Sequence, residues 1–148
     1  MMLDNFRFHY PIRVRYSEID GQKIVFNAHY STYVDVASTE YFREVIGANW
    51  MELAETNTFD IVLAKITLEY HQPAKLDDLL HVYCRVKRIG KSSLTCSYVI
   101  AREGTNDILV TADAIQVSYN NEKGKSQPIP EDIIHKIKEY EGIKLETV

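Results

Sequence analysis

The stretch Arg15-Tyr-Ser-Glu-Ile-Asp20-Gly-Gln-Lys-Ile-Val25-Phe-Asn27-Ala-His-Tyr30 separates two different sequence patterns. Before it, Phe8–Tyr16 mixes β-branched and aromatic residues with arginines, which predicts a strand. Within it, Asp20-Gly21 is a turn signal. After it, apolar residues recur at helical spacing: Tyr30, Tyr33, Val34, Ala37, Tyr41 and Val45. The pattern therefore predicts a helix from about Ala28 to Ile46, which Gly47 ends.

This helix is expected to be buried on more than one side, because Val36 and Phe42 add apolar positions outside its main stripe. Four later segments alternate apolar and polar residues and predict strands: Phe59–His71, Leu79–Ile89, Ser93–Arg102 and Ile108–Tyr119. The first of them is predicted to place on one face Val62, Ala64, Ile66, Leu68 and Tyr70. Three short links predict antiparallel neighbours: Gln72-Pro73, Gly90-Lys91 and Gly104–Asp107. A change of phase in the last strand predicts a bulge near Ala114.

Two shorter helices complete the prediction. Asn49–Asn57 favours a short second helix, and a tail helix is expected from Pro130. The apolar face of the tail helix would consist of Ile133, Ile134, Ile137 and Tyr140. One strand, one long buried helix and four antiparallel strands define an α+β class, in which a five-stranded sheet wraps around the central helix. No repeat or linker interrupts the chain, so a single domain over residues 1–148 is expected.

The composition is that of a globular protein, with 45% hydrophobic and 26% charged residues among 148. No apolar run approaches the roughly 20 residues that span a bilayer, so neither a membrane span nor a signal peptide is expected. A net charge of −4 argues against a nucleic-acid partner. Cys84 and Cys96 are predicted to be free thiols, buried side by side across a hairpin that turns at Gly90. Their small number favours the cytoplasm.

The charge is unevenly distributed along the chain. No carboxylate lies between Leu79 and Arg102, whereas the same segment holds Arg85, Lys87, Arg88, Lys91 and Arg102. Such an island of basic residues could bind a small polyanion. Charge alone, however, favours a solvated strand face.

The quoted stretch also contains the parts that acyl transfer requires. A helix that begins near Asn27 directs its free N–H groups and positive end toward the preceding loop, and Asp20 lies in that loop. Such donors stabilise the oxyanion of a tetrahedral intermediate, while a carboxylate attacks the carbonyl or activates water. Spacing alone favours a simpler interpretation, because Asp-Gly is a common turn and Asn a common helix cap. No His or Cys pair has metal-ligand spacing, so no metal site is expected.

These residues resemble the hotdog-fold acyl-CoA thioesterases of the 4-hydroxybenzoyl-CoA thioesterase type. The motif of that family is Arg-x-x-x-x-Asp-x-x-Gly-x-Val-x-(Asn/His/Tyr)-x-x-Tyr. Its positions are occupied here by Arg15, Asp20, Val25, Asn27 and Tyr30. The resemblance covers about residues 8–140, through the further segments Tyr33–Arg43, Glu69–Ala74, Val86–Leu94 and Pro128–Pro130.

The resemblance implies a hotdog fold and hydrolysis of an acyl-CoA thioester. Asp20 would be the nucleophile or general base, and the backbone N–H at Asn27 would be the oxyanion donor. Val25 and Tyr30 would lie beside the substrate. The groups implied to contact the CoA phosphates are Lys87, Arg88 and Lys91, with Ser92 nearby. The family also implies a homodimer or homotetramer with sites between subunits, and no cofactor.

The chain departs from the family at Lys23, where Gly is frequent, and at Ser38, where Arg is common. These departures keep open a non-catalytic acyl-CoA-binding protein, and Asn27 keeps open an acyl-carrier-protein thioesterase. A hotdog dehydratase is disfavoured, because no His lies beside the motif aspartate. Glu40 on the central helix is a second candidate for the base. Glu18, two residues before Asp20, is expected at the surface.

Overall fold

The computed structural model describes residues 2–47, 49–105 and 107–146. Its helices are α1 (His29–Ile46), α2 (Trp50–Glu55) and α3 (Glu131–Glu141). Its strands are β1 (Phe8–Arg13), β2 (Ile61–Tyr70), β3 (Leu79–Ile89), β4 (Ser93–Arg102), β5 (Ile108–Asn120) and β6 (Lys125–Ser126). All pairs are antiparallel in the order β1-β3-β4-β5-β2, with the short β6 beside β5.

The sheet curls around α1, so the predicted α+β class and hotdog architecture are confirmed. The second helix and the tail helix are also present where they were expected. The single domain over residues 1–148 stays a prediction, because it includes residues 1, 48, 106, 147 and 148, which lie outside the described ranges. In those ranges, no helix combines the length and the apolar character needed to cross a membrane.

Helix α1 supplies the centre of the core. Tyr33, Tyr41 and Phe42 are each 1% exposed or less, so burial on more than one side is confirmed for Phe42. The same expectation is wrong for Val36, which is 38% exposed and lines an open groove beside β1. The helix ends at Gly47 as predicted, and the φ of +119° at this glycine is one that other residues rarely adopt.

Strands β3 and β4 match the prediction residue for residue, whereas β1 ends at Arg13, three residues before the predicted Tyr16, which begins a 3₁₀ turn. The link Gln72-Pro73 does not join neighbouring strands, so that prediction is wrong: β4 and β5 lie between β2 and β3. The chain crosses one end of the sheet here, where the Arg102 guanidinium donates to Asp78 (3.1 Å) and to the Pro73 carbonyl (2.8 Å). Alternation in a sequence reports which face a residue occupies, but it does not report which strand lies alongside.

The predicted bulge near Ala114 is wrong, because β5 keeps one inward phase from Val110 to Asn120. Its inward residues are Val110, Ala112, Ala114, Gln116, Ser118 and Asn120. The irregularities lie instead between Leu63 and Lys65 of the facing strand β2 and at Leu109 of β5, which the pairing with β4 skips. The inner face of β5 becomes polar toward its end, where the Asn120 amide donates to Gln127 (3.2 Å). In the later part of β5, a prediction that follows the apolar residues therefore selects the outward face of the strand.

Strand β2 forms one open edge of the sheet. Ile66 and Leu68 pack on the core as predicted, but Val62 and Tyr70 are 37% and 53% exposed. The predicted single inward face is therefore wrong for the outer positions, since the bulge shifts the phase before Lys65 and no described strand covers this edge. An edge of ten residues with exposed apolar side chains is a surface on which a second sheet can pair.

The two cysteines are buried and free, as predicted. They lie on the same face of neighbouring strands, as expected, but diagonally and not directly opposite: Cys84 faces Tyr98, and Cys96 faces Val86. The offset arises because the hairpin turns at Lys91-Ser92 and not at Gly90, as the pairing of Ile89 with Leu94 shows. Burial raises the pKa of Cys96 to about 12, which agrees with a role in packing rather than as a nucleophile. The cytoplasmic location stays a prediction.

Candidate active site

The loop between β1 and α1 is a compact structure docked onto the β2–β3 connection. Inside the loop, the Asp20 N–H donates to the Ile24 carbonyl (2.9 Å), and the Lys23 N–H donates to the Asp20 carbonyl (3.0 Å). The Val25 N–H donates to the Ala74 carbonyl (2.9 Å) and fixes the loop to the β2–β3 connection. Asp20 is therefore held at a defined position just ahead of the helix.

The Asp20 carboxylate is half-buried and caps the turn that follows it. Its Oδ1 accepts a hydrogen bond from the Gln22 N–H at 2.7 Å. Lys23 has a φ of +65°, in the left-handed region that favours glycine. The turn therefore keeps the backbone shape for which glycine is suited, and the Lys23 side chain extends outward into solvent.

The expectation that Glu18 lies at the surface is wrong. It is 3% exposed, and it accepts hydrogen bonds from the Arg15 guanidinium (2.6 Å) and from the Tyr33 hydroxyl of α1 (2.7 Å). Burial alone would raise the pKa of Glu18, but the hydrogen bonds from Arg15 and Tyr33 outweigh it and lower that pKa. The prediction assumed an extended chain, whereas Tyr16–Glu18 forms a 3₁₀ turn that directs the carboxylate inward.

The first turn of α1 leaves two backbone donors open. The Tyr30 N–H donates to the Asn27 carbonyl (3.3 Å), and the His29 N–H donates to the Phe26 carbonyl (2.9 Å). Across the described residues, no hydrogen bond uses the backbone N–H of Asn27 or of Ala28. These free donors stand at the positive end of an eighteen-residue helix, which is a suitable place for developing negative charge.

An open cleft of about 410 Å³ lies beside this turn. The loop and α1 supply one wall, with Val25, Asn27 and Tyr30, and the end of β2 supplies the other, with Tyr70. The Tyr30 hydroxyl accepts a hydrogen bond from the Ala74 N–H (3.0 Å), so this side chain both lines the cleft and supports its floor. Asp20 is not among the lining residues, although it belongs to the loop that forms the wall.

The basic residues of the prediction lie at the opposite end of the sheet. Lys87 and Arg88 lie near the end of β3, and Lys91 and Ser92 belong to the turn that leads into β4. The loop with Asp20 follows Arg13, which pairs with the first residue of β3. Lys87 and Arg88 are eight and nine residues from Leu79, so about 26–30 Å of strand separates the two groups within one chain. Arg88 and Lys91 are exposed, and Lys87 is 4.0 Å from Asp113.

The second candidate base is also distant from Asn27 in the same chain. Glu40 lies thirteen residues farther along α1, or about 20 Å along the helix axis. Its carboxylate pairs with Arg43 (3.2 Å) on the same helix. Among the residues the structure describes, no cluster of three His, Cys, Asp or Glu side chains could hold a metal ion.

Comparison with known proteins identifies the family. The model of the thioesterase superfamily matches residues 22–109. The chain is 30% identical over 132 residues to the acyl-CoA thioester hydrolase YbgC of Escherichia coli O6:H1. The alignment covers 89% of this chain and 96% of that protein. It is 29% identical over 128 residues to the acyl-CoA thioesterase YbgC of Haemophilus influenzae, covering 86% and 90% respectively.

A solved structure agrees with the same fold. A thioesterase of Thermus thermophilus, complexed with coenzyme A and Zn, has a TM-score of 0.80 to this chain at 24% identity. The alignment covers 94% of this chain and 98% of that one. The chain therefore belongs to the thioesterase superfamily, and the predicted family and enzyme class are confirmed.

Proposed function

We propose that this protein hydrolyses acyl-CoA thioesters at the cleft between the Asp20 loop and the first turn of α1. One observation carries the proposal: within the described residues, two unpartnered N–H groups of a helix start adjoin a cleft, and a fixed carboxylate lies in the same loop. The relatives named acyl-CoA thioester hydrolases support CoA as the carrier, since the similarity spans nearly all of both chains.

The proposed chemistry begins at the thioester carbonyl. The Asn27 N–H donates to the carbonyl oxygen as this oxygen gains negative charge, and the positive helix end adds to the stabilisation. As a general base, Asp20 takes a proton from water while the water oxygen bonds to the carbonyl carbon. The C–S bond then breaks, and the proton passes to the departing CoA sulfur. As a nucleophile, Asp20 would instead form an anhydride, expel CoA, and be released by water.

The test compares Asp20→Asn with Asp132→Asn, an exposed aspartate in the first turn of α3. Asn retains an oxygen that can accept from the Gln22 N–H, so the loop should keep its shape. Thiol release is measured across a panel of acyl-CoAs. We expect Asp20→Asn to lower kcat at least about 100-fold, and Asp132→Asn to leave it unchanged.

Near-normal turnover by Asp20→Asn would make this residue only a turn former and would direct attention to Glu40. The same panel separates the alternatives. Binding of acyl-CoA without turnover would favour a non-catalytic binding protein. Turnover of acyl-carrier-protein esters alone would favour the acyl-carrier protein over CoA as the carrier of the acyl group.

We propose further that the protein is at least a homodimer in which each active site uses both chains. Two β2 edges that pair antiparallel about a two-fold axis bring opposite ends of the two sheets together. The β3–β4 hairpin of one subunit then lies at the same end as the Asp20 loop of the other. Lys87, Arg88, Lys91 and Ser92 would thus bind the CoA phosphates of a substrate that reacts in the neighbouring subunit.

Two measurements test the shared site. Arg88→Ala should raise KM for a CoA ester but not for the N-acetylcysteamine ester of the same acid, which has no phosphates; exposed Lys123→Ala is the control. Mixed dimers of Asp20→Asn with Arg88→Ala/Lys91→Ala should regain activity. One of their two sites then combines an intact Asp20 from one subunit with an intact Arg88 and Lys91 from the other. Mixed dimers that stay inactive, or an active monomer in light scattering, would contradict the shared site.

A further inference from the structure

A second cavity, of about 210 Å³, lies farther along α1. It is bounded by α1, β2, the inner face of β5 and the short helix α2. Its apolar wall residues are Val34, Phe42, Trp50, Ile61, Leu63, Ile66 and Ala114, and its polar ones are Ser31, Asp35, Ser38, Thr39, Asp60 and Gln116. The cleft beside Asn27 has the same two main walls, with Tyr30 from α1 and Tyr70 from β2. The cleft and the cavity are therefore successive spaces between one helix and one strand.

One face of α1 leads from the cleft to the cavity. Ser31, Val34 and Ser38 lie along one side of the helix, and Asn27 lies four residues before Ser31, in the turn that leads into the helix. Ser31 is the first of the four to line the cavity, about 6 Å along the axis from Asn27. Ser38 lies about 16 Å from Asn27 by the same rise per residue. An acyl group whose carbonyl reacts at Asn27 must therefore be at least about 6 Å long to enter the cavity.

The far end of the cavity is closed by aromatic rings. Phe42 is fully buried and Trp50 is 7% exposed, and their ring centroids are 5.9 Å apart. The Trp50 indole N–H is buried and already lacks a partner among the described residues, while the Ser38 and Tyr98 hydroxyls bond to each other at 2.5 Å. An apolar chain end can therefore fill this space without leaving that pair unsatisfied.

We propose that this cavity binds the distal end of the acyl group and makes the enzyme selective for medium-length aliphatic chains. The inference rests on the proposed thioester hydrolysis at Asn27. Because a cavity of about 150 Å³ binds benzene, this one holds a segment of roughly six to eight carbons. Acetyl groups are too short to pass Ser31, and long chains meet the closed end at Phe42 and Trp50.

The first experiment detects occupancy without requiring turnover. Trp50 is the only tryptophan in the chain, so the intrinsic indole emission reports on this cavity alone. The wild-type protein is titrated with coenzyme A and with its S-methyl, S-octyl and S-hexadecyl thioethers, which cannot be hydrolysed. We expect the octyl thioether to bind most tightly and to shift the emission, while coenzyme A and the methyl thioether bind without a shift. A bound octyl thioether that leaves the emission unchanged would overturn the proposal.

The second experiment fills the cavity. Thr39 lines it and is half-buried, and its hydroxyl bonds only to the Asp35 carbonyl of its own helix in the described structure (3.1 Å). Thr39→Phe should lower kcat/KM for octanoyl-CoA at least tenfold and leave that for acetyl-CoA within twofold. The control is Thr32→Phe, the same substitution on the same helix but in the groove beside β1. Equal losses for both esters, or no loss for either, would contradict the proposal.

The two proposals fail separately. If the octyl thioether shifts the Trp50 emission but no acyl-CoA is hydrolysed, the cavity binds the chain and the proposed reaction is wrong. If acyl-CoAs of all lengths are hydrolysed equally while the emission stays constant, the reaction stands and the cavity is not the acyl site.

Discussion

The two ends of α1 are each fixed by a tyrosine that donates to a buried glutamate, yet the two glutamates differ in electrostatic character. Near the start of the helix, the Tyr33 hydroxyl donates to Glu18 at 2.7 Å. Near its end, the Tyr41 hydroxyl donates to Glu141 of α3. The two carboxylates are almost equally buried, at 3% and 7% exposed. The exposed fractions are thus similar, but Glu141 lies deeper in the protein, so depth of burial and the remaining partners together account for the difference.

Depth of burial and the charge of the hydrogen-bond donors together decide the direction of each pKa. Burial would raise the pKa of Glu18, but hydrogen bonds from Arg15 and Tyr33 reverse this and lower it. Glu141 receives hydrogen bonds from neutral donors, the Tyr41 hydroxyl and the Val86 N–H (3.1 Å), so burial dominates and raises its pKa. The end of α1 that adjoins the cleft is therefore held by an ion pair, and the other end by a neutral-donor network sealed in the core.

The largest effect is expected at the sealed end. Glu141→Ala leaves the Tyr41 hydroxyl without its acceptor, leaves the Val86 N–H only its longer bond to the Tyr41 oxygen (3.4 Å), and opens a void, so the free energy of unfolding should fall by about 3 kcal/mol. Urea denaturation measures the loss, and Glu139→Ala, exposed on the same helix, should cost less than about 0.5 kcal/mol. The folded fraction of Glu141→Ala should keep its thioesterase kcat. A kcat loss that exceeds the unfolded fraction would show that this end also shapes the cleft.

A smaller effect, with a distinct pH dependence, is expected at the charged end. Glu18→Gln removes the ion pair with Arg15 but keeps an acceptor for Tyr33, so it should destabilise by about 1–2 kcal/mol at pH 7. Because the folded pKa of Glu18 lies below 4.5, the stability it contributes is present above pH 4.5 and disappears as the pH falls through the folded pKa. Urea denaturation between pH 3 and pH 7 should show the two proteins converging in acid. A constant gap would contradict the ion-pair explanation.

The burial of Glu18 was beyond the reach of the sequence for a reason that applies elsewhere in the molecule. Strands β3 and β4, helix α1 and the loop from Asp20 to Tyr30 follow from local patterns, because each is one continuous segment with its own periodicity. The order of the strands, the bulge in β2 and the pairing of Glu18 with Tyr33 depend on contacts between distant segments. For the same reason, the motif located Asp20 and Asn27, but it gave no indication that the hairpin with Arg88 lies at the opposite end of the sheet.

The opposite pH dependence is expected for Glu141→Gln. The folded pKa of Glu141 is raised above 4.5, so the stability that its protonated form contributes is complete below pH 4.5 and is lost as the pH rises through the folded pKa. Gln cannot ionise, so this variant should gain stability relative to the wild type between pH 4.5 and pH 7. Thermal unfolding at matched pH values measures the difference. If Glu18→Gln and Glu141→Gln change with pH in the same direction, the contrast between the two ends of α1 is wrong.

The smallest effect concerns backbone strain, which also differs between the two ends of α1. Gly47 has a φ of +119° at the C-terminal end, where glycine adopts it without cost, whereas Lys23 has a φ of +65° in the loop before the N-terminal end. Lys23→Gly should relieve about 1 kcal/mol of strain, partly offset by the greater freedom of glycine in the unfolded chain. The net gain in unfolding free energy should be about 0.5 kcal/mol in urea denaturation. Gln22→Gly, at an exposed neighbour without a positive φ, should instead lose about 0.5–1 kcal/mol. Equal losses for both variants would mean that the left-handed backbone at Lys23 carries no strain, and that the loop holding Asp20 is as relaxed as the glycine-ended terminus of the helix.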